Sequence, residues 1–398
     1  MLSRLLSLFL LVVLGSLLLG VPAYFWISDR QQVLRFLYPV QIAVTAPSLS
    51  CTAGSPAWLK KSAGFSMRDN SAPSGQLAYV SAEGDVYECH YGWSGFPLFS
   101  PRVTEQSRFR YASMTKALTA DAVLRQVRAG KLALSDRVLD FLLPGVEVVD
   151  ARLQAVTVEN LLRHSSGFDR LRSEDPMVVR NRRPWCPYTA EPLATVRLDF
   201  VPGERYAYSN LNYCLLGMLL EKVSGLSFRE LMEREYGLSV RGIRFVDGPY
   251  LNDEVSYDFR NGGFYGESYW RYFDFGALSS AAGLSGSAAA FASLWAALRE
   301  GQSFPVTQAV EQPICEQERL RGCYGYSVFS YRTTGGVLTL QVQPGFLYGS
   351  PSLLLLDDHG GITVWVGSGM RYKGSSTDYM IDFIYRQLDS YYALGMSR

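Results

Sequence analysis

The sequence predicts an α+β fold in which an antiparallel sheet, built from both ends of the body, is flanked by helices, with a mostly helical middle region and one N-terminal transmembrane helix. Three observations carry that prediction. β-leaning runs cluster at the two ends of the body, helical periodicity fills the stretch between them, and an apolar run without a charge opens the chain. The 398 residues are 48% hydrophobic and 19% charged, enough apolar side chain to bury a sizeable core, which excludes a disordered or collagen-like chain. Basic and acidic residues nearly balance, 38 against 37, so no basic face for a nucleic acid is expected.

Residues 5–28 form a Leu- and Val-rich run that no charge interrupts. At about 24 residues it is long enough to cross a bilayer as one helix. Arg4 and the terminal amine precede it, and Tyr24, Phe25 and Trp26 close it as an interfacial aromatic belt. The expected orientation is amino terminus inside, with the body on the extracytoplasmic, periplasmic side of the cytoplasmic membrane. The competing reading is a cleaved signal peptide, because Val21-Pro22-Ala23 puts small residues at a cleavage-like site. Length favours the retained anchor, since cleavable apolar regions run to about 7–15 residues. Residues 1–38 are thus expected as membrane anchor and juxtamembrane segment, 39–75 as connector, and 76–398 as the body, with its mostly helical insert over roughly 120–300.

Six cysteines, Cys51, Cys89, Cys186, Cys214, Cys315 and Cys323, are an even number in an exported chain and suit an oxidising compartment. They allow about 15 pairings. Nearness in sequence singles out Cys315 with Cys323 for one bridge, and buried free thiols are the alternative.

Within the body, residues 76–80 and 85–91 are strand candidates around Ala82-Glu83-Gly84, a hairpin signal. Over 113–129 the apolar period becomes helical, and Gly130 supplies the stop. Further helices are expected over 158–163, 212–223, 227–235 and 287–299. Residues 257–275 read as an irregular segment whose Tyr265, Tyr269, Trp270, Tyr272 and Phe273 either wall a cleft or pack in the core. Beyond Cys323 the period returns to two, with strands expected at 324–331, 337–342, 353–356 and 362–366, and a final helix at 377–392.

The stretch that carries chemistry is 109–120, with Ser113-Met114-Thr115-Lys116 at its centre. Three residues apart at the start of a helix, Ser113 and Lys116 share a face. A serine hydroxyl is a poor nucleophile until a base removes its proton, and a lysine whose pKa is lowered by burial serves as that base. The helix amino terminus adds a backbone N–H and a favourable dipole for an oxyanion. The second element is Tyr208-Ser209-Asn210, just before another helix, where the phenol acts as base and the amide holds a substrate carbonyl, or the two merely pack and cap. Of the three histidines, His164 reads as a hydrogen-bonded turn residue and His90, beside Cys89, as scaffold. None meets another ligand-type residue at zinc spacing, so neither a metal nor a cofactor is expected.

These stretches together resemble the serine β-lactamase-like family of class C β-lactamases, D-alanyl-D-alanine peptidases and related esterases, over about residues 76–388. The resemblance rests on Ser113-Met114-Thr115-Lys116 with Ala129-Gly130-Lys131-Leu132-Ala133-Leu134-Ser135-Asp136, on Leu161-Leu162-Arg163-His164-Ser165-Ser166-Gly167, on Tyr208-Ser209-Asn210, and on Ala282-Gly283-Leu284-Ser285-Gly286-Ser287. It implies Ser113 as the acylated nucleophile, Lys116 as its activating partner, Tyr208 as general base and proton shuttle, and Asn210 as a substrate-orienting amide.

The family's third motif is Lys or His, any residue, then Gly, on an edge strand beside the cleft. His359-Gly360-Gly361 fits the letters but falls between two strand candidates and reads as a hairpin turn. The family order points to Gln343-Pro344-Gly345, so the cation is missing and a neutral amide, able only to donate a hydrogen bond, stands in its place. Phe346 is then expected to offer the second oxyanion N–H, and Pro344 to be tolerated because the strand is an edge. The implied function is a membrane-anchored, exported serine hydrolase acting on a small-molecule or peptide ester or amide through an acyl-enzyme at Ser113. A D-amino-acid peptidase or weak β-lactamase acting on cell-wall-type substrates is one alternative, and an inactive binding protein on the same scaffold is the other. Oligomeric state stays open.

Overall fold

A computed structural model describes residues 2–172, 175–178, 183–261, 269–300, 304–307, 324–347 and 349–396. The strands are β1 (Ser50–Cys51), β2 (Ser74–Val80), β3 (Val86–Tyr91), β4 (Phe109–Arg110), β5 (Arg244–Phe245), β6 (Leu284–Gly286), β7 (Phe329–Tyr331), β8 (Leu340–Leu347), β9 (Ser350–Asp357) and β10 (Ile362–Ser368). Seven of them form one sheet in the order β1-β3-β2-β10-β9-β8-β7, with antiparallel pairs throughout. The central pairing of β2 with β10 joins the two ends of the body, as the sequence predicts. A second, three-stranded sheet in the order β4-β6-β5 has no counterpart in the sequence reading, because its strands are two or three residues long.

The large sheet lies between two helical layers. Alternate residues of β2 face opposite ways: Leu77 and Tyr79 join one core with Leu353, Leu355 and Trp365, while Ala78 and Val80 join the other with Leu354, Leu356 and Val364. Helices Ala57–Arg68 and Ser376–Met396 cover the first face. Helix Ala288–Leu298, with buried Phe291 and Trp295, covers the second, and the middle helices Thr115–Arg128, Asn210–Ser224 and Phe275–Ala282 continue that core.

Residues 39–75, expected as connector, carry the helix Ala57–Arg68. Trp58, Leu59, Ala63 and Met67 are buried, an apolar stripe at spacing four that docks on the sheet, while Tyr38–Thr45 forms a further helix and β1 pairs with β3. The strand expected over 324–331 shrinks to β7, Tyr324 adding only a bridge to Phe329. The strand expected to end at Val342 continues to Leu347. Since β7 pairs with β8 only over Leu340, Gln341 and Val342, the stretch carrying Pro344 has no β7 partner, and the missing proline N–H interrupts no ladder there.

At the amino terminus, helix Leu2–Ser28 contains a 20-residue apolar stretch, Phe9–Ser28, of mean hydropathy 2.2 and 0% buried. Helix Arg30–Phe36, capped by the Asp29 carboxylate, follows and ties to the body through Arg35, which donates to the Arg260 carbonyl. Two disulfides, Cys51–Cys89 and Cys186–Cys214, settle part of the cysteine pairing. Cys315, Cys323 and Tyr265 lie outside the described residues.

Candidate active site

Ser113 sits in a short 3-10 turn, Ala112–Met114, that leads directly into helix Thr115–Arg128. Ala112 holds φ +49°, a left-handed value that costs a residue with a Cβ about 1–2 kcal/mol. The surroundings fix it on both sides. Ser350 and Ser352 of β9 donate their hydroxyls to the carbonyls of Arg110 and Tyr111 at 2.9 and 2.6 Å, and the Tyr111 N–H donates to Leu284 of β6 at 2.9 Å. Arg110 itself is locked by Glu254, Nε to Oε1 2.6 Å, with both side chains fully buried.

Lys116, completely buried one turn on, points its Nζ at three oxygens: Ser113 Oγ at 3.1 Å, Asn210 Oδ1 at 2.8 Å and the Ala281 carbonyl at 2.8 Å. Ala281 lies in the last turn of Phe275–Ala282, where carbonyls lack intrahelical partners. Asn210 begins the helix Asn210–Ser224 and donates its Nδ2 to Asp175 at 2.8 Å. Burial pushes Lys116 down from its usual value to about 7; the nearby Asp175 carboxylate opposes the shift and Arg170 reinforces it. A neutral amine has two hydrogens and one lone pair. With Asn210 and Ala281 taking the hydrogens, the lone pair faces Ser113 Oγ.

The Tyr208 hydroxyl is 2.8 Å from the same Oγ. Burial holds this phenol well above its ordinary value, against the opposing pull of the Ser113 hydrogen bond, so it is uncharged near neutrality. Lys116 Nζ and Arg170 Cζ each lie 5.0 Å from the centroid of its ring, and the His164 ring is 4.5 Å away. His164 has φ +53° and is buried. Its Nδ1 accepts from Asn212 Nδ2 at 2.9 Å and from the Ser209 N–H at 3.3 Å, which assigns the ring proton to Nε2, while its carbonyl accepts from Ala207 N–H. The histidine therefore grips the Tyr208-Ser209-Asn210 segment from both sides, the structural role expected of it. Burial keeps it neutral, its pKa far below the ordinary value.

Gln343-Pro344-Gly345 lies behind Ser113. Gln343 is 1% exposed; its Nε2 donates to the Ser113 carbonyl at 2.9 Å and to the Pro344 carbonyl at 3.0 Å, and its Oε1 accepts from Tyr324 Oη at 3.0 Å. Both amide hydrogens are engaged within the protein. Gly345 makes the close approach possible: a Cβ there would lie 2.5 Å from the Tyr111 carbonyl oxygen and 3.1 Å from the Met114 nitrogen. Phe346 follows, its side chain half-exposed at the cleft end of β8.

Ser113, Lys116, Tyr208 and Asn210 thus converge, and Gln343, Gly345 and Phe346 lie on the strand beside them. Asp175, Arg170, the Ala281 carbonyl and the Arg110–Glu254 pair carry no expected role in the sequence; Arg110 lies inside the stretch 109–120 that holds Ser113, and Ala281 adjoins the small-residue loop that starts at Ala282. A ligand-type group also escaped it. Glu88 and His90 of β3 and the loop residue Glu105 bring their ligand atoms within 4.8 Å of one another. β2, β10 and β9 separate that group from β8 and the serine.

A model of the family described as Beta-lactamase matches residues 66–372. Two curated relatives from Dichelobacter nodosus, described as "Putative fimbrial assembly protein FimD, serogroup D" and "Probable fimbrial assembly protein FimD, serogroup H1", are 35% and 34% identical over 386 residues, 96% of this chain and 96% of each relative. Among solved structures, the D-amino acid amidase from Ochrobactrum anthropi SV3 superposes with a TM-score of 0.65 at 16% identity, covering 84% of this chain and 100% of that one. A Beta-lactamase/D-alanine Carboxypeptidase from Yersinia pestis complexed with citrate gives 0.63 at 17% identity, covering 89% and 99%. The likeness to these structures is one of fold, and with the family match over most of its length the chain belongs to the beta-lactamase family.

Proposed function

We propose that the protein is a membrane-anchored, exported serine hydrolase that cleaves an ester or amide through an acyl-enzyme at Ser113. The observation that carries this reading is the buried Lys116 amine 3.1 Å from Ser113 Oγ, with acceptors occupying its other two contacts. Neutral Lys116 takes the Ser113 proton as Oγ attacks the carbonyl carbon. The oxyanion is assigned to the backbone N–H groups of Ser113 and Phe346. Tyr208, neutral in its buried setting, relays the proton from Lys116 to the leaving group as the carbonyl re-forms and the scissile bond breaks. Water then attacks the acyl-enzyme by the reverse relay, and Ser113 regains its proton. Asn210 holds Lys116 in place and offers its second Nδ2 hydrogen to the substrate. Gln343 serves the nucleophile's turn in this reading, so penicillin-type carboxylates gain nothing from it. The apolar amino-terminal helix and the two disulfides support export. The relatives described as fimbrial assembly proteins make an envelope component a reasonable substrate class.

The test is intact mass after incubation with a fluorophosphonate, an aryl ester and a penicillin, beside Ser113→Ala. A fluorophosphonate adduct and ester turnover, both lost in the variant, are expected. A folded wild-type protein inert to all three reagents would favour a binding protein on this scaffold.

A further inference from the structure

The cleft holds a cation that the reaction above does not use. Arg170 follows the buried turn of His164 and Phe168, and its backbone N–H donates to the Tyr208 carbonyl at 3.2 Å, so the loop is tied to the segment that presents the phenol. Its side chain is exposed, with Cζ 5.0 Å from the centroid of the Tyr208 ring, whose hydroxyl is 2.8 Å from Ser113 Oγ. Among the described residues no carboxylate pairs with this guanidinium. The adjacent acids are engaged elsewhere. Asp169 Oδ1 accepts the Leu171 N–H at 2.9 Å, and Asp175 accepts from Asn210 Nδ2 at 2.8 Å and from the Met177 N–H at 3.0 Å. The other basic side chain at the site, Lys116, is buried and committed to three oxygens. Gln343 is neutral, with its amide hydrogens engaged.

We propose that Arg170 is the anion-binding residue of this cleft, holding a carboxylate of the substrate beside the scissile bond, so that the preferred substrates are anionic esters or amides. The inference rests on Ser113 as the acylated residue for its kinetic arm, and adds the substrate's charge. A guanidinium on a backbone-fixed loop presents its paired N–H groups to both carboxylate oxygens at once, and with its Cζ 5.0 Å from the Tyr208 ring centroid it lies close to the phenol that bonds Ser113. The carboxylate then approaches from the side of Tyr208, opposite in chain origin to the β8 strand.

The experiment uses the full chain in detergent and two aryl esters with one leaving group, an acetate and a hemisuccinate. In Arg170→Gln the ratio of kcat/KM for the hemisuccinate over that for the acetate should fall about tenfold or more, mainly through KM, with part of the preference restored in Arg170→Lys. Taking the ratio cancels any general effect on Tyr208. In parallel, the Kd of the hemisuccinate ester is measured by calorimetry on Ser113→Ala with and without Arg170→Gln, and a weakening of about tenfold or more is expected. An unchanged ratio together with an unchanged Kd, in variants that unfold at the wild-type temperature, would overturn the assignment. If neither ester is turned over by the wild type, the serine-hydrolase reading fails, and the Kd comparison still decides for or against Arg170.

Discussion

The burial that lowers the pKa of Lys116, and so fits it for the base role proposed above, also costs the fold stability. With its pKa lowered to about 7, the amine is largely charged at pH 6 and largely neutral at pH 8. Fluorophosphonate labelling of Ser113 should therefore rise with pH through about 7 and level off above it, and Lys116→Ala should lower the plateau by about 100-fold or more. A labelling rate that ignores pH between 5.5 and 8.5 would remove Lys116 from the base role. The same shift has a sign in stability. The unfolded chain protonates this lysine up to about 10.5, the folded one only to about 7, so between those values unfolding takes up a proton. The wild type therefore gains stability from this group as pH rises from 7 toward 10.5. Measured against Lys116→Met, whose other titrations are shared, the wild type should be relatively weakest at or below pH 7 and recover toward pH 10; urea titrations of both proteins across that range check it.

Two elements set the position of Ser113, and only one was legible in sequence. Ser113 and Lys116 could be paired because three residues along one helix put them on one face, and Tyr208 and Asn210 because they open the next long helix of the middle region. The Arg110–Glu254 lock left no local signal: its partners are 144 residues apart, and nothing in Glu254's neighbours marks a buried acid. Its Tyr257 hydroxyl accepts the Arg110 N–H at 2.8 Å and donates to Glu254 Oε1 at 3.2 Å, so β4 enters the serine turn from a closed polar network. Removing one partner leaves a buried charge uncompensated. Glu254→Ala should lose about 3–5 kcal/mol in urea unfolding, whereas replacing both partners by apolar residues, Arg110→Met with Glu254→Leu, should lose much less. A loss in the double variant equal to the sum of those of Arg110→Met and Glu254→Leu made singly would mean that the pair is not coupled. Asp175 was equally hidden, since its contact with Asn210 crosses from a loop whose fold the composition does not specify.

At the scale of the whole molecule, the sheet needs a cover on each face, and the two covers differ in how visible they were. The helix Ser376–Met396 and the middle helices follow strand runs or carry long apolar periods, so the layered α+β plan could be read. Helix Ala57–Arg68 could not, because two lysines, three serines or glycines and a leading proline lower its hydropathy although its apolar stripe is regular. Its contribution is nonetheless central. Trp58, Leu59, Ala63 and Met67 cover Leu77, Tyr79 and Trp365, Ser66 Oγ accepts the Trp365 Nε1–H at 2.8 Å and bonds the Tyr91 hydroxyl at 2.6 Å, and Asn70 Nδ2 donates to the Ser376 carbonyl at 3.0 Å. Without it, a large aromatic face of the sheet meets water beside an unpartnered indole N–H and a phenol, at about 1.5–3 kcal/mol for each large side chain uncovered. A chain of residues 46–398 should therefore unfold in one cooperative transition and label at Ser113, whereas residues 76–398, which retain every catalytic candidate, should aggregate or melt without a transition. Cooperative melting and undiminished labelling of the shorter chain, followed by calorimetry and intact mass, would demote Ala57–Arg68 to an accessory of the fold.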